Sequence, residues 1–424
     1  MGYLNNMKST KDITWSALIP LIGGFPLGAE AELNKPPEQI IGYGFPHDNQ
    51  YIHYQEEVLG RKMDKVVLNE EGVVISGNAL KHVNIIVATP PCSALSSLNC
   101  GKCNSVKGAT AESTKWMDYA LRESLGTIKC DVFMLENAPA LASNKGAEMA
   151  KRLSETANQY GYSSGYYKTS TKHHGIPQNR QRTFFFAWKS DRAPELPWVR
   201  KPRENFKTFL ENIPSDLTQQ DLIINTKVTS EPYYIYMKDK LNLDVRSAMI
   251  ESGLKTTLQY VMKRDDIEKA LAYFNETNNE LGIKLASHVI KKKAMGLGVW
   301  DGSVHVFDDT MNALIGRNMN DTIHPSHDRS LNVREALCLM GFPEDFELQG
   351  GLKNTNMIAQ NVPACTAADM VMFACMFINR ELQTSNSNVI FQNNENKKHL
   401  PVTFKSDIIA VDELASPMEE LFTK

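Results

Sequence analysis

The run Asn84–Ala88 is apolar almost without a break and feeds directly into Thr89-Pro90-Pro91-Cys92-Ser93. Side chains alternate across a strand, so a strand apolar at consecutive positions must be covered on both faces. That is the environment of a parallel sheet sandwiched between helices. The same arrangement recurs at Val132-Phe133-Met134-Leu135, which ends in Glu136-Asn137-Ala138-Pro139. It recurs at Arg182–Trp188, preceded by Gly175-Ile176-Pro177-Gln178-Asn179-Arg180-Gln181. Ile13–Ile22, Gln39–Tyr43 and Lys65–Leu68 are further strand candidates, and Gly23-Gly24 reads as a turn into a helix. Ser113–Ile128 and Ala147–Tyr160 carry helical spacing, with Gly161 as a stop. Alternating strands and helices predict an α/β, doubly wound, mostly parallel sheet, in which ligands sit at the carboxyl ends of strands.

Near residue 190 the pattern changes to segments rich in Pro, Asn, Asp and Lys, with one helix expected around Asp265–Leu281 and a basic run Lys291-Lys292-Lys293. A solvated helix face is the plainer account of that run. The apolar stretch Ala367–Leu382 is expected to pack back on the sheet, and 383–424, which opens with an Asn/Ser/Gln-rich stretch, reads as a tail or appendage. The chain's 424 residues suffice for one large domain and a smaller one. No apolar run reaches the length of a membrane span, and the N-terminus lacks a signal-peptide pattern. Seven cysteines give no disulfide framework and point to reduced thiols in the cytoplasm. Cys100 and Cys103 have zinc-knuckle spacing without a second ligand pair nearby, so no metal is expected. A net charge of −3 does not advertise nucleic-acid binding, but phosphate contact needs only a local basic face.

A thiol, a carboxyl and an arginine pair, each placed at a strand end, can activate a pyrimidine. A thiolate adding to C6 of cytosine turns C5 into a nucleophile, and Cys92 is the candidate thiol. Glu136, in a dry pocket that raises its pKa, is the candidate acid toward N3. Arg182 and Arg180 are candidates to hold the ring carbonyl and the adjacent phosphate. Ser93, Asn137 and Gln178 are further substrate-side candidates. Such chemistry requires the base to be flipped out of the duplex.

Those three segments, in that order, resemble the catalytic motifs of the DNA cytosine-5 methyltransferases. Gly23-Gly24-Phe25-Pro26-Leu27-Gly28-Ala29-Glu30 resembles the second half of the family's first cofactor motif. Arg329-Ser330-Leu331-Asn332-Val333-Arg334-Glu335-Ala336, running into Gly341-Phe342-Pro343-Glu344-Asp345-Phe346, resembles its ninth. Ile358-Ala359-Gln360-Asn361-Val362-Pro363 resembles a variant of its tenth. The resemblance implies a Rossmann-like catalytic domain over 1–189, a target-recognition domain over 190–325 and a return to the catalytic domain over 326–382. It implies S-adenosylmethionine as cofactor, held by Gly23, Gly24, Phe45, Asn78 and Asn361. It also implies a double-stranded DNA substrate and a monomeric, cytoplasmic enzyme of bacterial or viral origin, with no membrane partner.

The departures from the family pattern gather on the cofactor side. Ala17, Ile19 and Leu21 stand where an acidic residue, Phe and Gly are usual. Gly44 aligns with the acid that holds the cofactor ribose, Asn78 with the Asp near the third strand, and Ala359-Gln360 with a Gly-Asn pair. Two expectations follow: methyl transfer from S-adenosylmethionine, or C5 modification such as hydroxymethylation with another one-carbon donor. A catalytically retired DNA-binding relative and an enzyme acting on RNA are the remaining alternatives.

Overall fold

The computed structural model describes residues 12–45, 48–91, 114–214, 222–299, 303–396 and 398–401. Its strands in chain order are β1 (Trp15–Leu18), β2 (Ile40–Gly42), β3 (Lys65–Leu68), β4 (Val74–Ser76), β5 (Ile85–Ala88) and β6 (Val132–Asn137). They continue with β7 (Ser163–Ser170), β8 (Gln178–Asn179), β9 (Gln181–Trp188), β10 (Met311–Asn312), β11 (Val389–Asn393) and β12 (Lys398–Pro401). Ten of them form one sheet in the order β12-β11-β7-β9-β6-β5-β1-β2-β3-β4, while β8 pairs with β10 separately. The middle of the sheet, β3-β2-β1-β5-β6, is parallel throughout. Strand β9 runs antiparallel between β6 and β7.

The apolar runs divide by alternation into two cores. Ile86, Ala88, Phe133, Leu135, Phe185 and Ala187 face one side, under the helices Lys115–Arg122 and Ala147–Gln159. Ile85, Val87, Val132, Met134, Phe184 and Phe186 face the other, under the helices Gly24–Leu33 and Ala364–Ile378. Both faces are therefore covered, as consecutive apolar positions require.

The second face depends on a close approach of the chain's first and last described α-helices. The Gly24 amide donates to Asn361 Oδ1 at 3.1 Å, and the Val362 amide donates to the same oxygen at 2.8 Å. A Cβ on Gly24 would collide with the Val362 carbonyl oxygen, and one on Gly28 would meet Ala364 and Ala367. Glycine is needed at these positions for space.

Several elements differ from expectation for identifiable reasons. The helix expected over Asp265–Leu281 is two helices, Ile267–Glu276 and Glu280–Ala294, broken where Asn278 adopts φ 51° and Asn279 caps the second. These belong to a helical unit whose own core includes Tyr233, Met237, Val261, Phe274 and Val289. Ala193, Leu196 and Val199 instead pack on the second face of the sheet, so that core is narrower than 190–325. Part of 383–424 is built into the sheet: β11 pairs in parallel with β7, and Phe391 stacks on Tyr166 with ring centroids 4.2 Å apart.

Substituting Gly24→Ala should destabilise the fold by about 1–3 kcal/mol, because backbone atoms rather than a flexible side chain oppose the added methyl. Urea unfolding of the variant measures this. A midpoint equal to that of the parent protein would show that the two helices are not locked at this point.

Candidate active site

The carboxyl ends of β5 and β6 lie side by side, in register through Ala88 and Leu135. The chain leaving β5 passes Thr89, whose buried hydroxyl has no hydrogen-bond partner among the described residues, and reaches Pro91. Cys92 and Ser93 lie outside the described residues, as do Cys100 and Cys103. Strand β6 ends in Glu136, only 3% exposed. Arg182 comes from the facing strand β9, with its Nε 2.6 Å from Glu136 Oε1. Burial pushes the Glu136 carboxyl up from its ordinary value, while Arg182 and then Arg180 pull it back; the net direction is upward. The strand ends thus bring an acid held toward its neutral form and a partly accessible guanidinium to the point where the chain toward Cys92 departs.

Three of the expected substrate contacts point elsewhere. Gln178 is fully buried: its Nε2 donates to the Leu339 carbonyl at 2.7 Å and its Oε1 accepts from the Leu314 amide at 2.9 Å. Asn137 is also fully buried, accepting from the Ala138 amide at 2.9 Å and donating to Met117 Sδ at 3.4 Å, so it fixes the loop after β6. Arg180 is 1% exposed and donates to the carbonyls of Leu314, Ala359 and Asn361. Gln178 and Arg180 thus bond backbone groups, and Asn137 a backbone amide and a methionine sulfur, where contact with the base or its phosphate was expected.

On the cofactor side, the turn after β1 keeps an unusual shape. Ile19 and Leu21 have φ values of 52° and 53°, and Gly23 has φ 109°. For Ile and Leu this left-handed conformation costs roughly 1–2 kcal/mol each. At the end of β2, Tyr43 and Phe45 each pack against Trp116, with ring centroids 5.0 and 4.9 Å apart. Between them, Gly44 faces open space.

Asn78 is not part of this group. It stands beside the amino end of β3, where its amide donates to Asp64, the residue preceding that strand, at 2.9 Å. The cofactor turn lies at the opposite, carboxyl edge. The acid that follows β3 at that edge is Glu70, ion-paired to Lys115 at 2.8 Å, and Lys115 in turn lies over the Trp116 ring. Tyr43, Glu70 and Trp116 thus stand at this edge although nothing in the sequence singled them out.

These groups suit a ligand that is part aromatic and part polar. The Asn361 Nδ2 and the Tyr43 hydroxyl are buried without a hydrogen-bond partner among the described residues, and space is open at Gly44 beside the rings. An adenine nucleoside carrying an amino-acid group meets those demands.

The profile of the family described as C-5 cytosine-specific DNA methylase matches residues 22–367. The chain is 24% identical over 307 residues to the type II methyltransferase M.Bpa9945I of Bacillus paralicheniformis, an alignment covering 63% of this chain and 64% of that relative. It is 22% identical over 318 residues to the type II methyltransferase M.MspI of Moraxella sp, covering 74% of this chain and 61% of that relative. The chain thus spans a little under two thirds of the length of each. It shares its fold with a prophage-encoded DNA-modification protein of E. coli, at 14% identity and a TM-score of 0.52, covering 87% of this chain and 100% of that one. The match across most of the chain shows that the protein belongs to the C-5 cytosine-specific DNA methylase family.

Proposed function

We propose that this protein modifies cytosine at C5 in double-stranded DNA, by methyl transfer through a covalent Cys92–C6 adduct on a flipped-out base. The observation that carries the reading is the buried Glu136–Arg182 pair at the end of β6, beside the strand that leads to Cys92. Cys92 adds to C6 as the thiolate, and the ring's electron pair moves toward C5. Glu136, held toward its neutral form by burial, donates a proton or hydrogen bond to N3 and lowers the cost of that addition. Arg182 keeps Glu136 in place and presents donors toward the ring carbonyl. S-adenosylmethionine, when bound, supplies an electrophilic methyl group. Loss of the C5 proton to a base and expulsion of Cys92 then restore the aromatic ring.

Replacement Cys92→Ser should abolish turnover and leave duplex binding measurable. With S-adenosylmethionine present, duplex DNA carrying 5-fluorocytosine should trap the parent protein as a covalent adduct, because after transfer C5 carries fluorine in place of the proton whose loss would release Cys92. Gel mobility and intact mass measure both effects. Full activity in the serine variant would refute the mechanism. Duplex binding without any adduct would favour a retired DNA-binding relative. Adduct formation suppressed by tRNA and not by duplex DNA would favour an RNA substrate.

Phe45, Trp116 and Tyr43 would hold the cofactor's adenine side, and Asn361 its polar end. Gly44 offers no side chain to the ribose hydroxyls, and this favours a second reading in which another one-carbon donor is used, giving for example a hydroxymethyl product. A missing charge-assisted hydrogen bond of about 1.5–3 kcal/mol corresponds to roughly one to two orders of magnitude in affinity. Gly44→Asp should therefore tighten S-adenosylmethionine binding by about tenfold or more, since Asp tolerates the left-handed backbone there. Calorimetry measures the affinity, and mass spectrometry of nucleosides from treated DNA identifies the product. Tight parental binding with 5-methylcytosine as the sole product would remove the case for another donor.

Residues 190–325, with the helical unit at their centre, are proposed to choose the sequence modified, because reading base edges takes side chains that the catalytic strand ends do not supply. Exchanging this segment with that of a relative should move site preference, read by bisulfite sequencing. Preference that stayed with the catalytic half would refute the assignment.

A further inference from the structure

The polypeptide just before Arg182 does work that faces away from the substrate. Strand β8 pairs in parallel with β10, joining Gln178 to Met311 and Asn179 to Asn312. The Met311 amide also donates to the Pro177 carbonyl at 3.0 Å. Strand β10 belongs to the segment by which the chain returns from the helical unit toward the helix Val333–Cys338. Gln178 ties that return to the far end of this helix: it accepts from the Leu314 amide at 2.9 Å and donates to the Leu339 carbonyl at 2.7 Å.

Arg180 extends the grip to a third segment. One Nη donates to the Leu314 carbonyl at 2.9 Å; the other donates to the carbonyls of Ala359 and Asn361 at 2.6 and 2.8 Å. The Asn361 side chain in turn takes the Gly24 amide of the turn after β1. A single side chain thus touches the return from the helical unit and the residue that fixes the cofactor-side turn. Two residues later the same strand region delivers Arg182 to Glu136. A buried cation is costly unless its protons are bonded, and an apolar side chain could fill such a place without that cost. The fork of a guanidinium, however, can hold carbonyls from separate segments in fixed directions, as no apolar group can.

We propose that Arg180 is the positioning residue that sets the helical unit's return segment and the cofactor-side turn against the strand carrying Arg182. This rests on the reading of the site as a C5-cytosine transferase. Arg180 also acts on the catalytic carboxyl through its charge: its field lowers the Glu136 pKa against the dominant upward effect of burial. Glu136 works in its neutral form, so the rate falls as pH rises through its pKa. Removing the Arg180 charge raises that pKa further and moves the falling limb to higher pH. A residue that only fills space would slow the reaction without moving the limb.

The test uses Arg180→Gln, Arg180→Lys and Gln178→Met in the full chain. The rate of covalent adduct formation with 5-fluorocytosine duplex DNA and S-adenosylmethionine is followed against pH, alongside amide hydrogen exchange. Arg180→Gln should slow adduct formation about a hundredfold, the scale of an ångström-sized misplacement, and shift the falling limb upward. It should also speed exchange at the Gly24 amide. Arg180→Lys should hold the limb in place and recover a good part of the rate. Gln178→Met should speed exchange at the Leu314 amide with the limb unmoved. A parental rate and limb in Arg180→Gln would overturn the proposal, as would equal damage from Lys and Gln. If Arg180→Gln does not fold, Arg180→Lys decides: a slowed rate with an unmoved limb and faster Gly24 exchange supports the role, and parental behaviour in all three overturns it. A parental protein that forms no adduct refutes the transferase reading, while the exchange measurements still report on the positioning.

Discussion

The fold rests on one requirement: a sheet apolar at successive positions needs a layer on each side, and on one side that layer comes from the two ends of the sequence. The helix Gly24–Leu33 and the helix Ala364–Ile378 lie together over Trp15, Val87, Met134 and Phe186. Their contact is close because Gly24 and Gly28 present no side chain at the crossing. It is fixed in direction because Asn361 accepts from both Gly24 and Val362. The cofactor-side turn is therefore held from behind by a segment more than three hundred positions away in the chain. Nothing local to the turn could hold it as well, since Ile19 and Leu21 both disfavour its backbone shape.

Much of the central sheet was legible because buried parallel strands leave a strong signal. Strand β3 occurs over the expected residues, and β5 and β9 within one residue of expectation. Strand β7 was not legible: Ser163-Ser164-Gly165-Tyr166-Tyr167-Lys168-Thr169-Ser170 is mostly polar, yet it is buried between β9 and β11. Several of its hydroxyls have specific partners, as when Ser164 donates to Ser154 at 2.9 Å, and no periodicity announces such partners. Strand β11 was hidden differently: its Val389-Ile390-Phe391 is apolar, but the Asn- and Ser-rich residues flanking it read as tail.

At the site, residue type and strand-end position lead to Glu136 and Arg182, which the fold brings into contact. They do not reveal that Gln178, Asn137 and Arg180 bond within the protein, because a polar side chain at such a strand can turn inward to satisfy carbonyls and amides. Sequence alone does not show which way it turns. Asn78 stands away from the turn after β1 for a topological reason. The antiparallel hairpin β3–β4 carries the chain back to the amino edge of the sheet before β5 begins, so residues after β4 stand on the wrong side for a ligand. The burial that hides Gln178 and Arg180 also gives Glu136 its upward shift, and the nearby guanidinium groups keep that shift in check.

The left-handed backbone at Ile19 and Leu21 bears on how such a turn can change over generations. While glycine occupies a position of this kind, the torsion is nearly free and the surroundings need not enforce it. Once bulkier residues stand there, the same torsion persists only because neighbouring groups over-determine it. Any glycine that gives way to such a residue must do so after the enclosing contacts are in place. From that point, erosion of those contacts is punished more heavily than where glycine stands. The turn's shape thus depends on distant residues rather than on a conformational freedom of its own.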